Sequence, residues 1–217
     1  DIEVYKLMKL KKFFQNLFKK FFQSLFKVLY GNIKFKKNNT YNYKKHKIET
    51  ISYKNKYRVN EFLYIIPNSR IYTDTVEHVA IIQNNELVHN VSFQQVNSIL
   101  RDETYNKVLS DGTPRPLKHF DGDILSLVQG ASGNNYFHFL FDIVIKIALA
   151  NSLIPNDEIN YFYLPGKKKW QTDILSELNI NQNKIIDSNK YRHLKANNIL
   201  ALEHPWYKKG LIQEEVN

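Results

Sequence analysis

The chain has 217 residues, enough for one domain with a real core, and its 43 % hydrophobic and 14 % aromatic content argues for burial over disorder. It contains no cysteine, which excludes a disulfide framework, a zinc knuckle and a thiol nucleophile, and fits a reducing compartment. The formal charge of +10 is uneven: residues 1–60 hold sixteen Lys and Arg against three acids, and residues 61–217 hold fifteen against eighteen. The basic character therefore belongs to an N-terminal appendage, and the expected partners do not include nucleic acid.

Residues 4–30 read as an amphipathic helix. Leu7, Leu10, Phe14, Leu17, Phe18, Phe21, Leu25, Val28 and Leu29 recur on one stripe, and Lys9, Lys12, Lys19, Lys20 and Lys27 fill the other face, with Lys11 and Phe13 as exceptions. That pattern suits a helix lying in a membrane interface, or one docked on its own protein or a partner. No uninterrupted apolar run reaches the roughly 18 residues needed to span a bilayer. Residues 31–60 are Lys/Asn/Tyr-rich and read as a basic, mostly solvated linker in which His46 is a solvated histidine.

From residue 61 short β-type segments begin. Residues 62–66 read as a strand, and 79–93 as a hairpin turning at Asn84-Asn85, because Asn tolerates the left-handed conformations such turns use. Residues 94–118 are polar and turn-rich. Then the pattern alternates: strand 124–128, a glycine loop, helix 135–153, strand 159–164, helix 169–180, strand 184–188, a basic turn, and strand 197–202. Phe137, Leu140, Phe141, Val144, Ile147 and Ala148 are spaced for the core face of the first helix. The alternation predicts an α/β fold with a mainly parallel, Rossmann-like sheet, preceded by β-hairpins and the N-terminal helix.

The loop carrying Gly130, Gly133 and Asn134, followed by Asn135, Tyr136 and the aromatic helix, is the most informative stretch. A glycine loop between strand and helix lets backbone approach a ligand, although it has neither the P-loop ending nor the full dinucleotide spacing. His138 and Asp142 lie four apart on one helix face. They could be two metal ligands without a visible third, a histidine oriented by a carboxylate for acid–base work, or a buried bonded pair. Asp121-Gly122-Asp123 precedes a strand rather than ending one, which favours a turn over a metal-binding acid pair. Lys167, Lys168 and Lys169 read as a solvated charged loop. Glu203, His204 and Trp206 follow a strand end, where parallel sheets place ligand sites, and Trp206 could stack on a sugar or cap the core.

The string from Gly133 through Ala150, with its aromatic-His-aromatic-Leu-aromatic-Asp core, resembles the helix motif of glycosyltransferase family 61. The strands and helices that follow, to about residue 210, match that family's order. The resemblance implies a two-lobed GT-B type fold and transfer of a hexose or pentose to a glycan or protein acceptor. Transfer would proceed with inversion and without a required metal. The nucleotide-sugar donor is then a co-substrate and no separate cofactor is expected. His138 and Asp142 would be catalytic, and Gly130, Gly133, Asn134, Asn135, Tyr136, His204 and Trp206 would bind substrate. The family's later donor-binding features do not occur in these 217 residues, so residues 61–217 are expected to be the acceptor-side lobe, inactive alone. The expected location is cytoplasmic, or peripheral at the cytoplasmic membrane face of a bacterium making surface polysaccharide; a eukaryotic counterpart would sit in the Golgi or endoplasmic reticulum lumen. A non-catalytic glycan- or partner-binding module targeted by its membrane-surface helix is the rival.

Overall fold

In the computed structural model the described residues are 2–36, 41–51, 58–73, 78–96, 99–129 and 132–204. Gly130 and Trp206 lie outside them. The N-terminal segment forms the helix its periodicity predicts, α1 (Ile2–Tyr30), which closes with Gly31 at φ +80.

One sheet runs in the order β1 (Lys44–Ile51), β2 (Arg58–Pro67), β13 (Asn198–Leu202), β9 (Asp123–Ser126), β10 (Tyr161–Leu164), β11 (Ile185–Asp187). β1, β2 and β13 pair antiparallel, and β13, β9, β10 and β11 pair parallel. A second sheet runs β7 (Ile99–Arg101), β6 (Phe93–Val96), β4 (His78–Gln83), β3 (Arg70–Tyr72), β12 (His193–Lys195), β8 (Lys118–His119), with β5 (Glu86–Leu87) beside β4. All its pairings are antiparallel except β12 with β8. The fold is α/β with mixed sheets, largely antiparallel, and this corrects the mainly parallel expectation. Two elements cause the difference. The basic turn before β13 is itself a strand, β12, that leaves for the second sheet. Eight residues of the supposed linker are β1, paired with β2 from Lys44↔Ile65 to Ile51↔Arg58.

Period-2 alternation builds two cores from the central strands, whose residues are buried on both faces as parallel strands require. Leu125, Phe162, Leu164, Leu200 and Leu202 face the helices and meet Phe139, Ile143, Ile147 and Leu175. Ile124, Tyr163, Ile199 and Ala201 face the second sheet and meet Ile71, Val79, Ile81, Phe93 and Leu194. A third cluster, with Ile33, Ala80, Ile82, Leu87 and Val108, joins the second sheet to residues 31–36 and α2 (Val108–Asp111). The hairpin turn is where the sequence places it: Asn84 and Asn85 have φ of 51 and 59, the left-handed pair of a two-residue turn.

The helices after β9 and β10 contribute to the same core. The first comprises α3 (Tyr136–His138), a π-helical segment (Phe139–Val144) and α4 (Ile145–Asn151); the second is α5 (Lys169–Glu177). From β9 the chain moves to β10 and β11 on one side, then returns by way of the second sheet to place β13 on the other. The strand order thus reverses at β9. In open α/β sheets the crevice beyond the carboxyl ends of the strands at such a reversal is where ligands bind.

Candidate functional site

The helix that follows β9 begins with Asn135, whose side-chain oxygen accepts from His138 N at 3.3 Å and satisfies a donor of the first turn. It then widens to π-helix over Phe139–Val144, a local irregularity often found at functional sites. Its buried positions are Phe139, Asp142, Ile143, Lys146, Ile147 and Ala150, a clean i, i+3, i+4 face. The expected core face is displaced, since Phe137 and Phe141 are each 39 % exposed and stack on one another at 4.5 Å. An apolar-only criterion turns the stripe away from Asp142 and Lys146, which the protein nevertheless buries.

Those two residues and His138 form one line along the helix. The His138 ring nitrogen Nδ1 bonds Asp142 Oδ2 at 2.9 Å, and Asp142 is 1 % exposed. Lys146, one turn further on, is 3 % exposed, and its ammonium lies 5.9 Å from the Phe93 ring centroid. Burial pulls the Lys146 pKa down to about 8, against the opposing pull of Asp142 and Glu61. A charge kept in so dry a place at a cost in solvation is a marker of function.

Facing this line, the chain leaving β13 brings in Glu203 and His204, both buried. His204 Nε2 donates to Gln95 Oε1 at 3.1 Å, and the ring stands edge-on to Phe93 at 4.8 Å. Burial, with Lys146 and His138 adding to it, holds the His204 pKa well below the ordinary histidine range, so the ring is neutral at pH 7. Tyr64 from β2 donates to Glu203 Oε1 at 2.5 Å and accepts from Asn90 Nδ2 at 3.2 Å; burial pushes its phenol up. The arrangement can hold an imidazole in one orientation through Nδ1, exchange a proton through Nε2, and present a buried positive charge close by.

The structure bonds His138 to Asp142, as their i, i+4 spacing predicts, and sets His204 near enough to feel the charges of Lys146 and His138; the other candidate residues lie at the margin. A Cβ on Gly133 would lie 3.1 Å from the Pro165 side chain, and its carbonyl accepts from Gln171 Nε2 at 3.3 Å. Gly133 therefore seats its loop against the segment leading into α5. Asn134 and Asn135 are exposed, as is Tyr136, whose ring packs 5.3 Å from Trp170. Just before Gly130, the buried side-chain amide of Gln129 has no hydrogen-bond partner among the described residues, and Ser132 Oγ donates to the Gln129 carbonyl at 2.6 Å. Asp121-Gly122-Asp123 is a turn with Gly122 at φ +112, at the opposite end of β9, where Asp123 Oδ1 accepts from Asn198 Nδ2 at 2.7 Å. Lys169 is 91 % exposed and pairs with Asp173 at 3.0 Å. Among the described residues no group of three or more His, Asp or Glu could hold a metal ion.

Sequence reasoning missed Lys146, Tyr64 and Gln95. Only Lys146 left a signal, a lone lysine in the apolar run IVIKIALA, four residues after Asp142 and eight after His138. A cavity of about 460 Å³ lies elsewhere, between α1 and residues 106–116, away from this cluster. No protein-family model, curated protein or solved structure matches the chain.

Proposed function

We propose that this chain is one α/β lobe of a GT-B type sugar-transferring enzyme, and that the cluster beyond the carboxyl ends of β9 and β13 is its acceptor-side catalytic face. The observation that carries the reading is the line from half-buried His138 to buried Asp142 and Lys146, opposite buried His204, beside the reversal of strand order. The aromatic-histidine helix motif that resembles glycosyltransferase family 61 supports the choice of chemistry.

Inverting sugar transfer needs a base to take the acceptor hydroxyl proton as the anomeric carbon is attacked, and stabilisation of charge on the departing nucleoside diphosphate. In this reading His138, held through Nδ1 by Asp142, takes that proton at Nε2, and the Asp142 carboxylate stabilises the resulting imidazolium. Lys146 supplies positive charge in a dry setting, where it counts for more than in water. Gly133, Asn134, Asn135 and Tyr136 edge the acceptor side. The donor is a nucleotide sugar, the acceptor a glycan or protein, and the setting cytoplasmic or at a membrane face.

The rival reading is a non-catalytic binding module, favoured by how deeply Asp142, Lys146 and His204 are buried, as in a network that only ties layers together. Substitution separates the two. In the full-length protein, His138→Ala lowers nucleoside diphosphate release from a panel of nucleotide sugars by on the order of a hundredfold, while the melting temperature stays within a few degrees. A variant that melts far lower while its folded fraction still turns over normally makes His138 structural.

A further inference from the structure

The two faces of α1 have different fates. Its last turns dock on the body through one edge: Lys27 Nζ donates to Ser110 O at 2.5 Å, and Tyr30 OH accepts from Leu117 N at 3.0 Å. The Tyr30 ring also stands edge-on to His193 at 5.0 Å. Phe22, Phe26 and Tyr30 stack in succession along the docking edge, at 6.2 and 5.6 Å. Lys19, Gln23 and Phe26 line the cavity between α1 and the body. At 3.6 residues per turn, the stripe of Leu10, Phe14, Leu17, Phe21, Leu25 and Val28 lies about 180° round the helix from that edge. It is bare: Leu17 is 54 % exposed, Phe21 61 % and Val28 84 %. The helix therefore docks on its own protein with a mixed edge of aromatics and lysines and turns its aliphatic and phenylalanine stripe outward.

We infer that this stripe is the protein's contact with an anionic lipid surface. Along Ile2–Tyr30 there are seven lysines and one acid, Glu3, so the helix carries burial and a single sign of charge together, the chemistry of an interfacial helix. A second copy would bring seven more lysines against these, and like charges in apposition oppose pairing. No described helix is long and apolar enough to cross a membrane, so the helix lies along the surface. The inference stands apart from the sugar-transfer reading and survives its failure.

The test uses the 217-residue chain with vesicles of equimolar phosphatidylglycerol and phosphatidylcholine, and with phosphatidylcholine alone. The chain sediments with the anionic vesicles and not the neutral ones, and added salt weakens binding. Lys6→Gln, Lys9→Gln and Lys12→Gln together weaken it by about tenfold or more. Leu17→Glu with Phe21→Glu abolishes it at unchanged circular dichroism, because both side chains are exposed and their loss leaves the fold intact. Equal binding to neutral vesicles, or no binding at all, overturns the proposal. So does wild-type protein that ignores vesicles but forms a dimer dispersed by the stripe variant, since the stripe then serves a second copy.

Discussion

Lys146 illustrates how function and stability pull apart at a single residue. In the unfolded chain its ammonium titrates near 10.4, and in the fold burial brings it to about 8. Between those values the unfolded chain holds the proton that the folded chain has lost, so this residue makes stability rise with pH across that window. Below pH 8 it weighs against the fold at full strength. Lys146→Met is therefore at least as stable as wild type at pH 7, and its margin shrinks as pH rises from 8 toward 10, read by urea unfolding at several pH values. A margin that grows with pH would show that Lys146 is a net stabilising charge. Sequence reasoning found the bonded pair His138–Asp142 because i, i+4 spacing on a helix dictates proximity. It could not find Gln95 or Tyr64, which reach the site from strands 109 and 139 residues away from their partners His204 and Glu203.

At the scale of elements, local signals were legible and masked burial was not. The Asn84-Asn85 turn was readable because two adjacent left-handed residues ask for Asn or Gly. Asn84 is exposed at φ 51, so Asn84→Val costs about 1 kcal/mol in urea unfolding while Asn84→Gly is tolerated. If Val is tolerated as well as Gly, the turn does not pin the hairpin register. β1 was illegible for a physical reason. Edge strands carry lysines to discourage pairing with other chains, so Lys44, Lys45 and Lys47 read as linker, and only Ile48 among residues 41–48 turns fully inward. Lys45 instead lays its ammonium 3.7 Å from the Phe62 ring centroid across the β1–β2 pair. The 136–151 helix was legible as a helix, yet its buried face was not, because Asp142 and Lys146 violate the rule that the core side is apolar.

For the whole molecule, alternation of strands and helices after residue 120 gave the parallel run β13–β9–β10–β11. It did not give the second sheet as a whole: the pairings among β3 to β7 are local, but β12 joins them from far away in sequence, as His193 with Tyr72. Pairing partners of that kind leave no local mark. The consequence matters for function, since β12 carries the chain across to the second sheet and back, which sets β13 beside β9 and delivers His204 opposite His138. In the proposed reading, this acceptor-side cluster lies against a bound nucleotide sugar during transfer. Hydrogen–deuterium exchange of the full-length protein, with and without a panel of uridine diphosphate sugars, measures this most directly. Slowed exchange in residues 132–146 and 200–204 with at least one sugar nucleotide is expected, in wild type and in His138→Ala alike, since loss of a base slows transfer and leaves donor binding in place; slowing confined to other segments, or none with any member of the panel, would overturn the proposal.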